Sequence, residues 1–352
     1  MLWVDKHRPK TLATLDYHDD LTKRLVTMSS AKSLPHLLVY GPSGAGKKTR
    51  IHALLRGLYG NTVDKLRLES KTFTTPTNRK VEINMISSNS HIEMTPSDAG
   101  IYDRFVIGTV LKEIASNAPL FQSKTGVPFK TVVLNEVDTL TKQAQAGLRR
   151  TMEKYTGVCR LVLVARNSSK VIGPLKSRCL GIRLSSPTHD EITSILISTA
   201  SRENLTLSPA LALSISQLSS RNLRRALLML ESAHTMDPDL NPSMQVPRCD
   251  WEEYIVRLAS EITAEQSPQK LLQAREMMYE LLTNCIPAGV IMRTLVKELM
   301  KNTDDSLKHE IVKHAAYYEA RLNGGSKEIF HLEAFVAKFM ACYKEYLTNL
   351  FG

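Results

Sequence analysis

Residues 41–50, GPSGAGKKTR, hold the most chemistry in this chain. Gly41, Gly44 and Gly46 let backbone N–H groups close around an anion, and Lys47 adds a positive charge. Pro42, Ser43 and Ala45 complete the loop, and Lys48 and Thr49 follow it. The pattern is that of a phosphate-binding loop, G-x-x-x-x-G-K followed by Ser or Thr, whose last residue supplies a hydroxyl to Mg²⁺. Lys48 stands in that last place. An ammonium cannot ligate Mg²⁺ and repels it. Thr49 is one place further on and points about 100° away on a helix, so it is a poor substitute.

A second stretch, TVVLNEVDTL, belongs with the first. An apolar strand ending in Asp-Glu usually supplies a second Mg²⁺ contact and a base that orients water. Asn135 takes the aspartate place and Glu136 the base place. Two contacts to one ion are therefore altered together, and no metal-ligand set is expected at this site. Losing several kcal/mol of metal stabilisation in a transition state slows a reaction by about a thousandfold or more. The reading is of a pocket that holds ATP or ADP without turning it over, Lys48 partly replacing the metal's charge. Arg178, in KSRCL, is a third candidate, though one such arginine is by itself an ordinary surface residue.

The elements that must position these residues are legible in outline. HLLVY (36–40) precedes the loop as a strand, and TRIHALLRGL (49–58) follows as a helix that stops at Gly60. VEINMIS (81–87), FKTVVLNEV (129–137), RLVLVAR (160–166) and LGIRL (180–184) read as further strands. Strands alternating with helices imply a parallel sheet covered on both faces. After Leu184 the pattern turns helical, with starts expected at Ser186–Pro187 and Ser208–Pro209 and a third run at RNLRRALLMLESA. MDPDLNPSMQVPRCD (236–250) reads as a linker. Beyond it the chain is helical, with one stripe at Leu271, Ala274, Met278 and Leu281 and another at Ile329, Leu332, Val336, Phe339 and Tyr343. The expected division is an α/β nucleotide-binding domain (1–184), a small helical lid (185–235) and an all-α C-terminal domain (236–352).

The 352 residues carry a formal net charge of +11. Such a surplus favours polyanions by counterion release, although a merely soluble basic surface also accounts for it. The five cysteines form no C-x-x-C pair, which argues against a zinc site or disulfide framework and fits a reducing compartment. The N-terminus lacks the apolar core of a signal peptide, and no run approaches the roughly 18 apolar residues of a membrane span. An intracellular, soluble protein is expected.

WVDKHRP (3–9), GPSGAGKKTR, LNEVD, LRRTMEKY (148–155), SRC (177–179) and RNLRRAL (221–227) occur in an order that resembles the small subunits of clamp loaders. These are AAA+ proteins of the replication factor C complex, and the resemblance covers the whole chain. It implies a P-loop (AAA+) domain, a helical lid and a C-terminal collar that joins a hetero-pentameric spiral. That assembly uses ATP to open a ring-shaped sliding clamp, PCNA, and close it on primer–template DNA in the nucleus. Other replication factor C subunits, and the large subunits of alternative loaders, are the implied partners. Carried over, Arg178 is an arginine finger acting on the neighbouring subunit's ATP, Arg224 senses the nucleotide phosphates, and Val4, Arg8 and Pro9 pack near the adenine. The N-termini of two helices, one after SDAGIYDRF and one in TLTKQAQAGLRRTMEKY, point at DNA phosphates, with Arg104, Thr141 and Lys142 as candidates. The alternative for these charges is ordinary solvation. Arg149 and Arg150 organise a subunit interface.

One departure stands out. The family places an asparagine four residues before the lysine matching Lys170, where it senses the γ-phosphate. Arg166 stands there, and Asn167 is one place off. A shift of one residue turns a strand side chain to the opposite face. Two other readings stay open: an independent motor ATPase such as a helicase or junction-migration protein, which Glu136 favours and Lys48 and Asn135 oppose, and a structural adaptor that binds no nucleotide. Steady ATP turnover by the chain alone would mark the first, and failure to retain any nucleotide the second.

Overall fold

Near-continuous runs of Leu and Val cannot sit on a solvated sheet face, so they mark strands buried on both sides. In the structure, a computed structural model that describes residues 1–74, 80–116, 127–241, 244, 246–301 and 303–351, these runs form the middle of one seven-stranded sheet. The strands are β1 (Leu37–Tyr40), β2 (Arg67–Thr74), β3 (Lys80–Ser87), β4 (His91–Met94), β5 (Lys130–Leu134), β6 (Cys159–Ala165) and β7 (Leu180–Arg183), in the order β2-β3-β4-β5-β6-β1-β7. From β4 to β7 neighbours run parallel, as expected, but β2, β3 and β4 pair antiparallel. The sheet is therefore mixed. Strands β2 and β4 escaped the sequence reading because charged or polar residues interrupt their apolar positions: Arg67, Glu69 and Lys71 in one, His91 and Glu93 in the other.

Alternation along the central strands divides the core between two faces. Leu38, Val132, Leu134, Leu161 and Leu163 pack to one side, with α4 (Asp103–Ser116) and α5 (Lys142–Lys154). Leu37, Val39, Val133, Val162 and Val164 pack to the other, with α3 (Lys47–Tyr59). The remaining early helices are α1 (Trp3–Lys6) and α2 (Asp19–Ser30), and α6 (Gly173–Lys176) precedes β7. Helix α3 ends at Gly60, whose φ of 68° is open to glycine at little strain.

Helices α7 (His189–Arg202), α8 (Pro209–Leu218) and α9 (Leu223–Met236) follow. Helix α7 starts two residues later than the Ser186–Pro187 pair suggests, because Thr188 and Glu191 form a reciprocal capping box there. Helix α8 starts at Pro209 with Ser208 before it, as read. These three helices share a core with Trp3, whose ring stacks on His234 at 5.3 Å, so α1 is fastened to them.

The chain divides into two compact units, Met1–Val246 and Pro247–Gly352. The second is all helical: α10 (Asp250–Ala264), α11 (Pro268–Thr283), α12 (Ala288–Lys301), α13 (Asp305–Leu322) and α14 (Glu328–Phe351). Both predicted stripes face its core. Ala274, Met278, Leu281, Ile329, Leu332, Val336 and Phe339 are buried, with Leu271 and Tyr343 packed against them. No helix among the described residues is long and apolar enough to cross a membrane.

Candidate nucleotide-binding site

The glycine loop turns out of β1 and into α3, at the point where β1 lies between β6 and β7. Ligands of open α/β sheets bind at such crossover points. Two of its glycines are required by their surroundings. Gly44 (φ 76°) lies so close to α9 that a Cβ would stand 1.7 Å from Oδ1 of Asn222. At Gly46 (φ 70°) a Cβ would stand 2.3 Å from the Tyr17 hydroxyl, which donates to the Ala45 carbonyl at 3.1 Å. The loop is thus clasped between the N-terminal segment and the helices after β7.

A cavity of about 360 Å³ opens over it. That volume suits a small organic ligand. Val4, Arg8, Pro9, Ser43, Gly44, Gly46, Lys47, Lys48, Thr49, Asn135, Glu136 and Arg224 all line it, so residues spread across the first unit converge on one site. Gly41, Pro42 and Ala45 shape the loop: Lys47 Nζ donates to the Gly41 and Pro42 carbonyls at 2.7 Å each. Burial pulls the Lys47 ammonium below the ordinary lysine range, aided by the Arg166 and Arg224 charges and opposed by Asp138 and Glu136. Tyr17, Ile195, Thr199 and Arg202 also line the cavity and carry no local motif that would have marked them.

The irregular positions prove to be paired. Lys48 Nζ lies 3.2 Å from Oε1 of Glu93, and Asn135 Nδ2 donates to that same oxygen at 2.8 Å. His52 Nε2 reaches Oε2 at 3.1 Å. Burial alone would raise the Glu93 carboxyl; hydrogen bonds from His52 and Asn135 and the charges of His52 and Lys48 outweigh it and hold the group well below the usual carboxylate range. Glu136, with a left-handed φ of 51°, presents Oε1 to Arg166 Nη2 at 2.7 Å. Arg166 N donates to Asp138 Oδ1 at 3.2 Å. Asn167, one place along, caps a short 3₁₀ turn by accepting from Ser169 N. Thr49 Oγ1 accepts from Arg8 Nε at 3.2 Å.

A divalent ion does not fit this donor set. An ammonium stands in one ligand place, and in the other an amide whose Nδ2 donates to Glu93. Glu93 has both oxygens engaged. Among the described residues no group of three or more His, Cys, Asp or Glu is arranged to hold a metal.

Arg178 is not among the residues lining the cavity. It follows α6, where Nε donates to Glu153 Oε1 at 2.7 Å, Nη2 pairs with the same oxygen, and Nη1 donates to the Pro174 carbonyl at 3.2 Å. Arg149 Nε approaches the same carboxylate at 3.6 Å. Elsewhere, buried Asp103 at the start of α4 accepts from the backbone N–H of Arg104 (2.6 Å) and from both the N–H (2.8 Å) and the hydroxyl (3.0 Å) of Thr141. Helix α4 thus begins inside the quoted segment SDAGIYDRF, not after it. Thr141 Oγ1 also accepts from Ala144 N as the cap of α5, so that hydroxyl is engaged internally, while Arg104 and Lys142 are exposed.

Comparison with known proteins gives matches across the chain. The family model described as "Replication factor C subunit 3, C-terminal domain" matches residues 251–347, and "RCF1/5-like, AAA+ ATPase lid domain" matches residues 194–235. The chain is 50% identical to replication factor C subunit 3 of Homo sapiens and of Mus musculus, over 99% of this chain and 98% of each relative. It is 47% identical to replication factor C subunit 5 of Oryza sativa, over 100% of both chains. Among solved structures, the Holliday junction branch migration motor RuvB of Thermotoga maritima shares the fold, with a TM-score of 0.52 at 16% identity over 86% of this chain and 97% of that one.

Proposed function

The chain belongs to the replication factor C subunit 3/5 family of AAA+ proteins, and on that premise we propose that it is a nucleotide-holding, non-hydrolysing subunit of the sliding-clamp loader. It assembles with the other replication factor C subunits, or with the large subunits of alternative loaders, and the complex places PCNA on primer–template DNA in the nucleus. The AAA+ site holds ATP or ADP. Lys47 and the loop backbone cradle the phosphates, Arg224 reaches them from α9, and Val4, Arg8 and Pro9 flank the base. The working division of labour is 1–184 for nucleotide, 185–235 for the lid and 236–352 for assembly.

The observation that carries this reading is the convergence of Lys48 and Asn135 on Glu93. The two side chains that stand in the usual metal-ligand places, at the wall of the cavity, both contact one carboxylate. The residue in the base position is ion-paired as well. Chemistry that depends on a polarising dication loses several kcal/mol without it. What the chain contributes to hydrolysis is Arg178, delivered to a neighbour. Its place outside its own cavity supports that role, for which the half-buried guanidinium must exchange its Glu153 pairing for the neighbour's phosphate.

In the assembled complex, Arg178→Ala should lower ATP hydrolysis by the neighbour's whole share, since such a finger supplies about 10³–10⁵ in rate. Lys47→Ala should leave turnover within about twofold, because this chain's own site adds none to it. The opposite pattern would sink the assignment. The RuvB-like fold and Glu136 favour a second reading, an independent motor; brisk ATP turnover by the chain alone would establish it.

A further inference from the structure

Glu93 comes from β4 and is only 5% exposed. A buried carboxylate is strongly unfavourable unless charge and hydrogen bonds compensate it. Here the compensation is entirely internal: the Lys48 ammonium, the His52 imidazole and the Asn135 amide. Lys48 lines the cavity with 47% of its side chain exposed while its ammonium is anchored on Glu93. Asn135 lines the same cavity, and its Oδ1 is buried with no partner among the described residues. The anchor thus fixes a cation at the wall of the cavity, beside an acceptor left open.

We propose that Glu93 is a positioning residue of the nucleotide site, holding Lys48 at the cavity wall as a built-in monocation for phosphate oxygens and so making nucleotide binding independent of Mg²⁺. The inference rests on the reading that the cavity holds a nucleotide. It follows from the competition for one carboxylate: a dication entering here must displace the ammonium or lie beside it, and like charges in a half-buried site repel strongly. Removing Lys48 reverses this, since the carboxylate of Glu93 behind it is then left with its charge only partly met.

The test is calorimetric titration of the full-length chain with ADP, in Mg²⁺ and in EDTA. Wild type should change by less than about threefold between the two, a difference under 1 kcal/mol. Glu93→Gln should weaken ADP about tenfold in both, the loss expected of one charge-assisted contact. Lys48→Thr should acquire a Mg²⁺ requirement, binding about tenfold weaker in EDTA, and Lys48→Thr with Glu93→Gln should lose that gain. Should Glu93→Gln fail to fold, Lys48→Thr, altered at a half-exposed side chain, carries the test by its metal requirement. A folded Glu93→Gln that binds ADP as wild type does, or a Lys48→Thr indifferent to Mg²⁺, overturns the role of Glu93 and leaves nucleotide binding standing. Wild type that needs Mg²⁺ overturns the metal independence. Wild type that binds no ADP in either buffer overturns the nucleotide reading and this inference with it.

Discussion

Arg166 Nη2 lies 2.7 Å from Glu136 Oε1, joining the residue just past β6 to one just past β5. Both side chains are substantially exposed, 62% and 40%, so the pair adds little to stability. Its consequence is positional, because the carboxylate is turned toward a guanidinium. On the proposed non-hydrolysing reading, relieving this pair alone should not restore hydrolysis, since Lys48 and Asn135 still stand in the usual metal-ligand places. The complex carrying Arg166→Asn should match wild-type ATPase within about twofold. Adding Lys48→Thr and Asn135→Asp should produce extra, Mg²⁺-dependent turnover; an increase from Arg166→Asn alone would contradict the account.

Asp103 joins the starts of α4 and α5, being 1% exposed and accepting three hydrogen bonds. Asp103→Ala removes the acceptor those donors share at a part-buried junction, and the expected loss is about 2 kcal/mol of folding stability. Urea denaturation of the full chain measures it. A change under about 0.5 kcal/mol, the usual size of a surface substitution, would show that the junction is not structurally important.

His91 gives a pH dependence. Burial, with the His52 charge, pushes its imidazole down to about 4, although Glu93 pulls the other way. Between that value and the ordinary histidine range the unfolded chain binds a proton that the folded chain does not. Stability therefore rises with pH across this window and falls as pH drops from about 6.5 to about 4, by on the order of 3 kcal/mol. Denaturant midpoints at pH 7 and pH 5 test this. His91→Asn should flatten the difference, and an unchanged profile would exclude His91 as its source.

Arg104 and Lys142 are exposed beside the two helix starts that Asp103 joins. If they meet primer–template DNA, affinity of the complex should fall linearly with log salt concentration. Each Ala substitution should then reduce the slope by about 1. An unaltered slope would return these residues to ordinary solvated charges.

Much of the site was readable without coordinates. The loop at 41–47, the helix behind it and Asn135–Glu136 at a strand end were each marked by a pattern a few residues long, Arg224 was given by the family resemblance, and residues from each of these line one cavity. Glu93 was not marked. In HIEM it has the look of a polar interruption, and nothing nearby announces that it meets Asn135, 42 positions away. Tyr17 was missed for the same reason, since its hydroxyl answers a loop that is distant in sequence.

What the sequence determined by itself is whatever residue type and local geometry set over a few residues: the glycine-rich loop, the buried strands, the apolar stripes of the C-terminal helices, and a lysine and an asparagine at positions 48 and 135. What only the tertiary structure decided is where those altered residues turn. Strand β4 lies beside β5, which brings Glu93 to Asn135 and Lys48, while Arg166, just past the end of β6, reaches across to Glu136. Sheet order is set by how whole faces bury against one another, and no local periodicity encodes it.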